Sequence, residues 1–224
     1  MAETGNSKRV TSNQTGLHER LDELVLKHRH SVFKKPLAPF NQEAFAQAEA
    51  AWKASGKPLL LDSCCGVGAS TRQLAVDFPD HFVIGVDRSE DRLQRNIGTL
   101  PANALLVRAD LADFWRLAEA AGWRPDYHFL LYPNPYPKSK DIKLRWHGHP
   151  VFPAMLALGG LLESRSNWLL YLAEMQRALQ LYGVHAEIKP LLIKTPLTPF
   201  ERKYSLSGQQ IWQLKADLNL LARG

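Results

Sequence analysis

The chain has 224 residues, of which 45% are hydrophobic and 22% charged, with a formal net charge of +6 and a pI near 9.4. That length suits one α/β domain with a sizeable core, and the sequence holds neither an apolar run of membrane-spanning length nor a signal-peptide pattern after its polar start. Two adjacent cysteines, Cys64 and Cys65, form no disulfide framework and lack metal-ligand spacing, so the chain reads as reduced, cytoplasmic and metal-free.

Residues 1–16 show no periodicity and read as a flexible arm, with a single domain expected over 17–224. That domain begins with a helical extension over 17–55. Leu17, Leu21, Leu24, Val25 and His28 predict a helix over 17–29. Pro36 and Pro39 break the pattern, and Asn41 can cap a second helix that reaches about Ser55. From Lys57 onward, apolar runs alternate with helical patterns. Strands are expected at 59–61, 81–86, 104–107, 127–132 and 158–162, with helices at 69–77, 89–97, 111–120 and 167–181 between and after them. Such alternation predicts a Rossmann-like, mostly parallel, doubly wound sheet. Residues 184–193 and 209–214 read as two closing strands without a full helix between them, which places an antiparallel strand at the C-terminal end.

The most informative stretch is Leu59-Leu60-Leu61-Asp62-Ser63-Cys64-Cys65-Gly66-Val67-Gly68. A strand ends in an acid and passes through a glycine turn into a helix, the context in which backbone lies against a nucleotide-like ligand. Gly66 and Gly68 permit close approach, while Cys64 stands where a third glycine is usual. Asp87, followed by Arg88, closes the second strand at the spacing of a ribose-binding acid, and Asp110 closes the third. A nicotinamide dinucleotide usually needs the full glycine set for its pyrophosphate. S-adenosylmethionine has no phosphate and carries a sulfonium and an ammonium, so acidic strand ends suit it better.

The fourth strand runs into Tyr132-Pro133-Asn134-Pro135-Tyr136-Pro137-Lys138, followed by Lys140, Lys143 and Arg145. The prolines fix φ and so fix where Asn134 and Tyr136 point. The basic residues, with a second cluster at Lys27, His28, Arg29, His30, Lys34 and Lys35, favour a nucleic-acid partner. This segment resembles the bacterial tRNA (guanine-N7)-methyltransferase family, in which a Phe-Pro-Asp-Pro-Trp-Pro-Lys-type motif ends the fourth strand. Thr198-Pro199-Phe200-Glu201 is similar to that family's Thr-x-x-Glu segment, and Gln14-Thr15-Gly16 to its N-terminal arm.

The resemblance implies an S-adenosylmethionine-dependent enzyme that acts on tRNA, as a monomer or homodimer and away from membranes. It implies cofactor contacts from Asp62, Gly66, Gly68, Asp87, Arg88, Asp110 and Asn134, with Asn134 also at the catalytic position. Lys138, Lys140, Lys143, Arg145, Asn167, Thr198 and Glu201 are then expected on the substrate. Asn134 and Asn167 both stand where the family has aspartate. Asparagine keeps an acceptor, adds a donor and loses the charge. It also matches adenine's paired donor and acceptor. A methyltransferase for another base or substrate, and a catalytically weak tRNA-binding relative, are the alternatives.

Overall fold

A computed structural model describes residues 5–223. Seven strands are present among them: β1 (Leu59–Ser63), β2 (Phe82–Asp87), β3 (Ala104–Arg108), β4 (Tyr127–Leu131), β5 (Leu161–Ser166), β6 (Ala186–Leu191) and β7 (Ile211–Asp217). They form one sheet in the order β3-β2-β1-β4-β5-β7-β6, parallel except for β7, which runs antiparallel to both neighbours. Strand order reverses between β1 and β4, so a crevice opens at the carboxyl ends there. β1 and β2 are buried along their whole length, as strands covered by helices on both faces must be.

The helices are α1 (Leu21–Arg29), α2 (Pro39–Ser55), α3 (Ala69–Asp77), α4 (Glu90–Leu93), α5 (Leu111–Ala120), α6 (Phe152–Ala157), α7 (Leu169–Leu181) and α8 (Pro199–Leu206). The N-terminal extension closes the core, with α1 packed on α7 and α2 on α5. Leu21, Leu24 and Val25 of α1 are buried, and Phe45 of α2 packs edge-on against Phe114 of α5. Residues 5–16 are tied to the domain at several points. Gly5 N donates to Leu206 O, Ser139 N donates to Asn13 Oδ1, and Gln14 Nε2 donates to Glu174. Residues 1–4 of the expected arm lie outside the described residues.

Several local expectations change. Asn41 does not cap α2; Ala38 does, ahead of Pro39, because proline at a helix's first position needs no hydrogen-bond partner. Buried Asn41 instead bridges helices, donating to Asp113 Oδ2 at 2.6 Å and accepting from Asp110 N at 3.0 Å. The helix expected over 89–97 is a single turn, since it buries no residue against the sheet. The fifth strand starts at Leu161, because the left-handed pair Gly159–Gly160 separates it from α6. The last two strands are joined through α8, which begins with a variant of the capping box: Thr198 Oγ1 accepts from Glu201 N, and Glu201 reaches one residue past the cap to accept from Leu197 N.

Behind the crevice, His128 is fully buried, with its Nε2 2.9 Å from Ser63 Oγ, which also accepts from Trp115 Nε1. Burial pushes this imidazole down to about 3 from its ordinary 6.5. The unfolded chain therefore takes up a proton below pH 6.5 that the folded chain refuses until near pH 3, and stability is lost as pH falls through that window. Between pH 6.5 and 5 the loss from this group is about 2 kcal/mol. Urea denaturation at pH 7 and pH 5 should show a pH dependence smaller by that amount in His128→Gln than in the parent.

Candidate active site

At the carboxyl ends of β1 to β5 lies a cavity of about 580 Å³. Gly66, Asp87 and Asp110 line it from the turns after β1, β2 and β3, while Tyr132 to Tyr136 line it from the turn after β4. Asn167, Phe200 and Tyr204 complete the opposite side. Cys64, Tyr132 and Tyr136 are the described non-glycine residues with left-handed backbone, at φ 65°, 51° and 43°, and all three line this cavity. Bulky residues in that region cost roughly 1–3 kcal/mol each, and such strain gathers at functional sites.

The turns are set by hydrogen bonds from the strand-end acids. Asp87 accepts from Gly66 N through Oδ2 (3.0 Å) and from Ser89 N through Oδ1 (2.8 Å), so the acid shapes the glycine turn beside it. Each carboxylate oxygen keeps a second lone pair. Asp110 caps α5 by accepting from Ala112 N at 2.8 Å and leaves its other oxygen free among the described residues. The linker between α1 and α2 brings Phe33 and Lys35 to the same end, held by Arg116, which donates to Lys35 O and stacks over Phe33. Burial pushes His149 down to about 4, so it lines the cavity as a neutral ring, edge-on to Phe33 and Trp146. Burial, reinforced by the charge of Asp87, drives the Cys64 thiol up to about 12, which leaves it unreactive at neutral pH.

At the other end, Phe200 and Tyr204 stack with centroids 6.1 Å apart, and Tyr132 lies 5.7 Å from Tyr204. Asn134 is exposed between its two prolines, with Oδ1 accepting a long 3.4 Å bond from Tyr136 N.

A model of the family described as "Putative methyltransferase" matches residues 56–214, which include all of these turns. The chain belongs to that methyltransferase family. A trans-aconitate 2-methyltransferase of Paracidovorax citrulli is 41% identical over 108 residues, covering 46% of this chain and 36% of the relative's length. A tRNA (guanine-N(7)-)-methyltransferase of Pseudomonas savastanoi pv. phaseolicola is 28% identical over 171 residues, covering 70% of each chain. The structure is similar to that of a 16S rRNA (adenine(1408)-N(1))-methyltransferase from Catenulisporales acidiphilia solved with its cosubstrate SAM, at TM-score 0.54 and 18% identity over 82% of this chain and 92% of that one. At that identity the likeness is one of fold, the class I methyltransferase fold.

S-adenosylmethionine, the methyl donor of this fold class, fits the residues present. Asp87 keeps lone pairs for the ribose hydroxyls, most openly on Oδ1 because Oδ2 also lies 3.9 Å from Arg92 Nη1. Gly66 offers backbone without a Cβ, and Asp110, with Phe33 and His149, could hold the adenine end. Arg88 also lines the cavity.

Five expected contacts fall elsewhere. Asp62 is fully buried behind the turn, where Oδ2 accepts from Ser70 and Thr71 at 2.7 Å, and burial raises it to about 6 against those hydrogen bonds. It fastens α3 to β1 and does not line the cavity. Gly68 is a packing glycine, because a Cβ there would come within 2.7 Å of Leu106. Thr198 and Glu201 are buried in the cap of α8, and Glu201 also pairs with Arg165 at 2.7 Å. They position Phe200 and Tyr204, the cavity-lining residues of that segment.

Arg145 is the clearest departure. Unlike the exposed Lys138, Lys140 and Lys143, it is 0% exposed and paired with Glu174, also 0% exposed. Its Nε donates to Tyr136 O at 3.1 Å and its guanidinium lies 5.0 Å over Trp168. Burial works to raise the Glu174 carboxyl, but bonds and charge from His147 and Arg145, with a bond from Gln14, hold it at about 2. A run of closely spaced basic residues gives no sign of which one turns inward.

Two outcomes follow from this geometry. Arg145→Met leaves a buried carboxylate without its guanidinium and should lower stability by about 3–5 kcal/mol, against within about 0.5 kcal/mol for Lys140→Ala or Lys143→Ala, measured by chemical denaturation. Asp87→Ala should weaken S-adenosylmethionine binding by roughly 1.5–3 kcal/mol in calorimetry, whereas unchanged affinity would remove Asp87 from the cofactor site.

Proposed function

We propose that this chain methylates N7 of a guanine in tRNA. The observation that carries the reading is that one cavity joins the strand-end acids Asp87 and Asp110 to Asn134, Asn167 and the rings of Phe200 and Tyr204. The tRNA enzymes among the relatives support it. So does the run of exposed lysines Lys138, Lys140 and Lys143 beside the cavity mouth, suited to phosphate contacts.

Guanine N7 carries a free lone pair and loses no proton on methylation, so a general base is not required. Positioning and electrostatics do most of the work. The bound cofactor supplies an electrophilic methyl group. The chain's part is to orient the base: Phe200 and Tyr204 give a stacking face worth roughly 1–3 kcal/mol, and Asn134 and Asn167 meet its polar edge. Loss of carboxylate charge at Asn134 has a consequence for rate. A unit charge about 4 Å from the cation growing on the base is worth about 4 kcal/mol at an effective dielectric near 20. A third of that is about tenfold in kcat.

Incubation with tritiated S-adenosylmethionine and bulk tRNA, followed by digestion to nucleosides, should place label in 7-methylguanosine. Asn134→Asp should raise kcat about tenfold, equivalent to ~1.4 kcal/mol. Label in a methylated adenosine, or activity abolished by Asn134→Asp, would show that the amide serves a different base edge. Label in small carboxylic acids and not in tRNA would point to a small-molecule substrate.

A further inference from the structure

We propose that Gln209 is a positioning residue that sets the hydrogen-bonding polarity of Asn167, and that the N-terminal arm fixes it through a backbone carbonyl. Gln209 lies in the turn between α8 and β7. Its Nε2 donates to Ser7 O at 3.0 Å, and its Oε1 accepts from Asn167 Nδ2 at 2.8 Å. A backbone carbonyl can only accept, so the first bond decides which end of Gln209 faces the arm. The amide oxygen on the other end also only accepts, so Asn167 must turn its Nδ2 toward Gln209. Asn167 Oδ1 has no protein partner among the described residues and is the unengaged end of a cavity-lining side chain. Asn167 thus offers the acceptor character of one carboxylate oxygen without the charge.

The carbonyl that starts this relay is itself held. Ser7 N donates to Ser207 Oγ at 3.0 Å, Ser207 Oγ donates to Lys203 O at 2.8 Å, and Gly5 N donates to Leu206 O at 3.1 Å. Gly5 lies so close that a Cβ there would come within 2.3 Å of Ser207 Oγ. The arm is therefore seated on the C-terminal end of α8, the helix that carries Phe200 and Tyr204. Resting on the guanine reading, the inference is that a fixed acceptor at Asn167 matches the N1–H and N2–H donors of that base. A freely rotating amide would present a donor there as readily and discriminate less.

The test compares the full-length parent, Gln209→Met, and the double variant Gln209→Met with Asn167→Asp, by steady-state methylation of tRNA. Gln209→Met should lower kcat/KM roughly tenfold, mainly through KM, as loss of one oriented hydrogen bond does. The double variant should return to within about threefold of the parent, because a carboxylate accepts in either orientation. A merely structural loosening of the arm is not repaired by a change at position 167, so a double variant as slow as the single one would overturn the proposal. An unchanged KM in Gln209→Met would do the same. The side-chain amide signals of Asn167, assigned by their loss in Asn167→Asp, read the relay without turnover. They should shift and lose exchange protection in Gln209→Met, and unchanged signals would overturn the relay. Absence of 7-methylguanosine from the parent alongside amide signals that depend on Gln209 would sink the tRNA reading and leave the relay standing.

Discussion

The buried pair of Arg145 and Glu174 is the constraint on which the site depends. Two ions with no solvent exposure are costly unless their remaining hydrogen-bonding groups are satisfied. Glu174 accepts from Arg145, from His147 Nε2 at 3.0 Å, from Gln14 and from His18 N at 3.0 Å. Arg145 donates onward to the carbonyls of Tyr136 and Lys138. One point therefore joins α7, the N-terminal arm and the turn after β4. The strained backbone at Tyr136 persists because its carbonyl is held from below, and Lys138 and Lys140 stay at the surface because the arginine beneath them carries the loop.

A division of labour runs across the cavity. One end of it keeps the carboxylates of Asp87 and Asp110, and the other holds neutral amides at Asn134 and Asn167. Without two negative charges near the lysines of the following turn, the mouth of the cavity is more positive than an aspartate-bearing version would be. That favours capture of an anionic substrate through long-range attraction. On the proposed guanine reaction, the same change removes stabilisation of positive charge developing on the base, so attraction and rate are set against each other. Orientation by neighbours, as Gln209 does for Asn167, recovers directionality but not charge.

The Thr198-Pro199-Phe200-Glu201 segment shows how a sequence motif and its physical role can separate. Its polar members are the ones that suggest substrate contact, yet a threonine followed three residues later by a glutamate at the start of a helix is also a capping box. Here the cap and the Glu201–Arg165 pair bury both residues. The ring between them, Phe200, is the part left facing the cavity. Asp62 is a parallel case. An acid at the end of β1 can meet a ligand or fasten the next helix, and Ser70 and Thr71, in the first turn of that helix, capture it.

Periodicity and motif spacing along the chain are enough to define the layered α/β sheet, the antiparallel final strand and the placing of Gly66, Asp87, Asp110 and Asn134 at one end of it. Alternation of apolar runs with helical patterns fixes which ends of parallel strands point the same way, and residues at those ends must then share a crevice. α5 was legible to the residue because Asp110 caps it and its apolar face is strongly periodic. Which polar residues face inward is a matter of long-range packing. Whether Arg145 meets phosphate or Glu174, 29 residues further on, depends on how α7 packs, and no local pattern encodes that. The pairing of Ser7 with Gln209, 202 residues apart, is likewise invisible along the chain. Local hydrogen bonding and periodicity act over a few residues and are written in sequence, whereas the partner of a buried polar group is settled only when distant elements close around it.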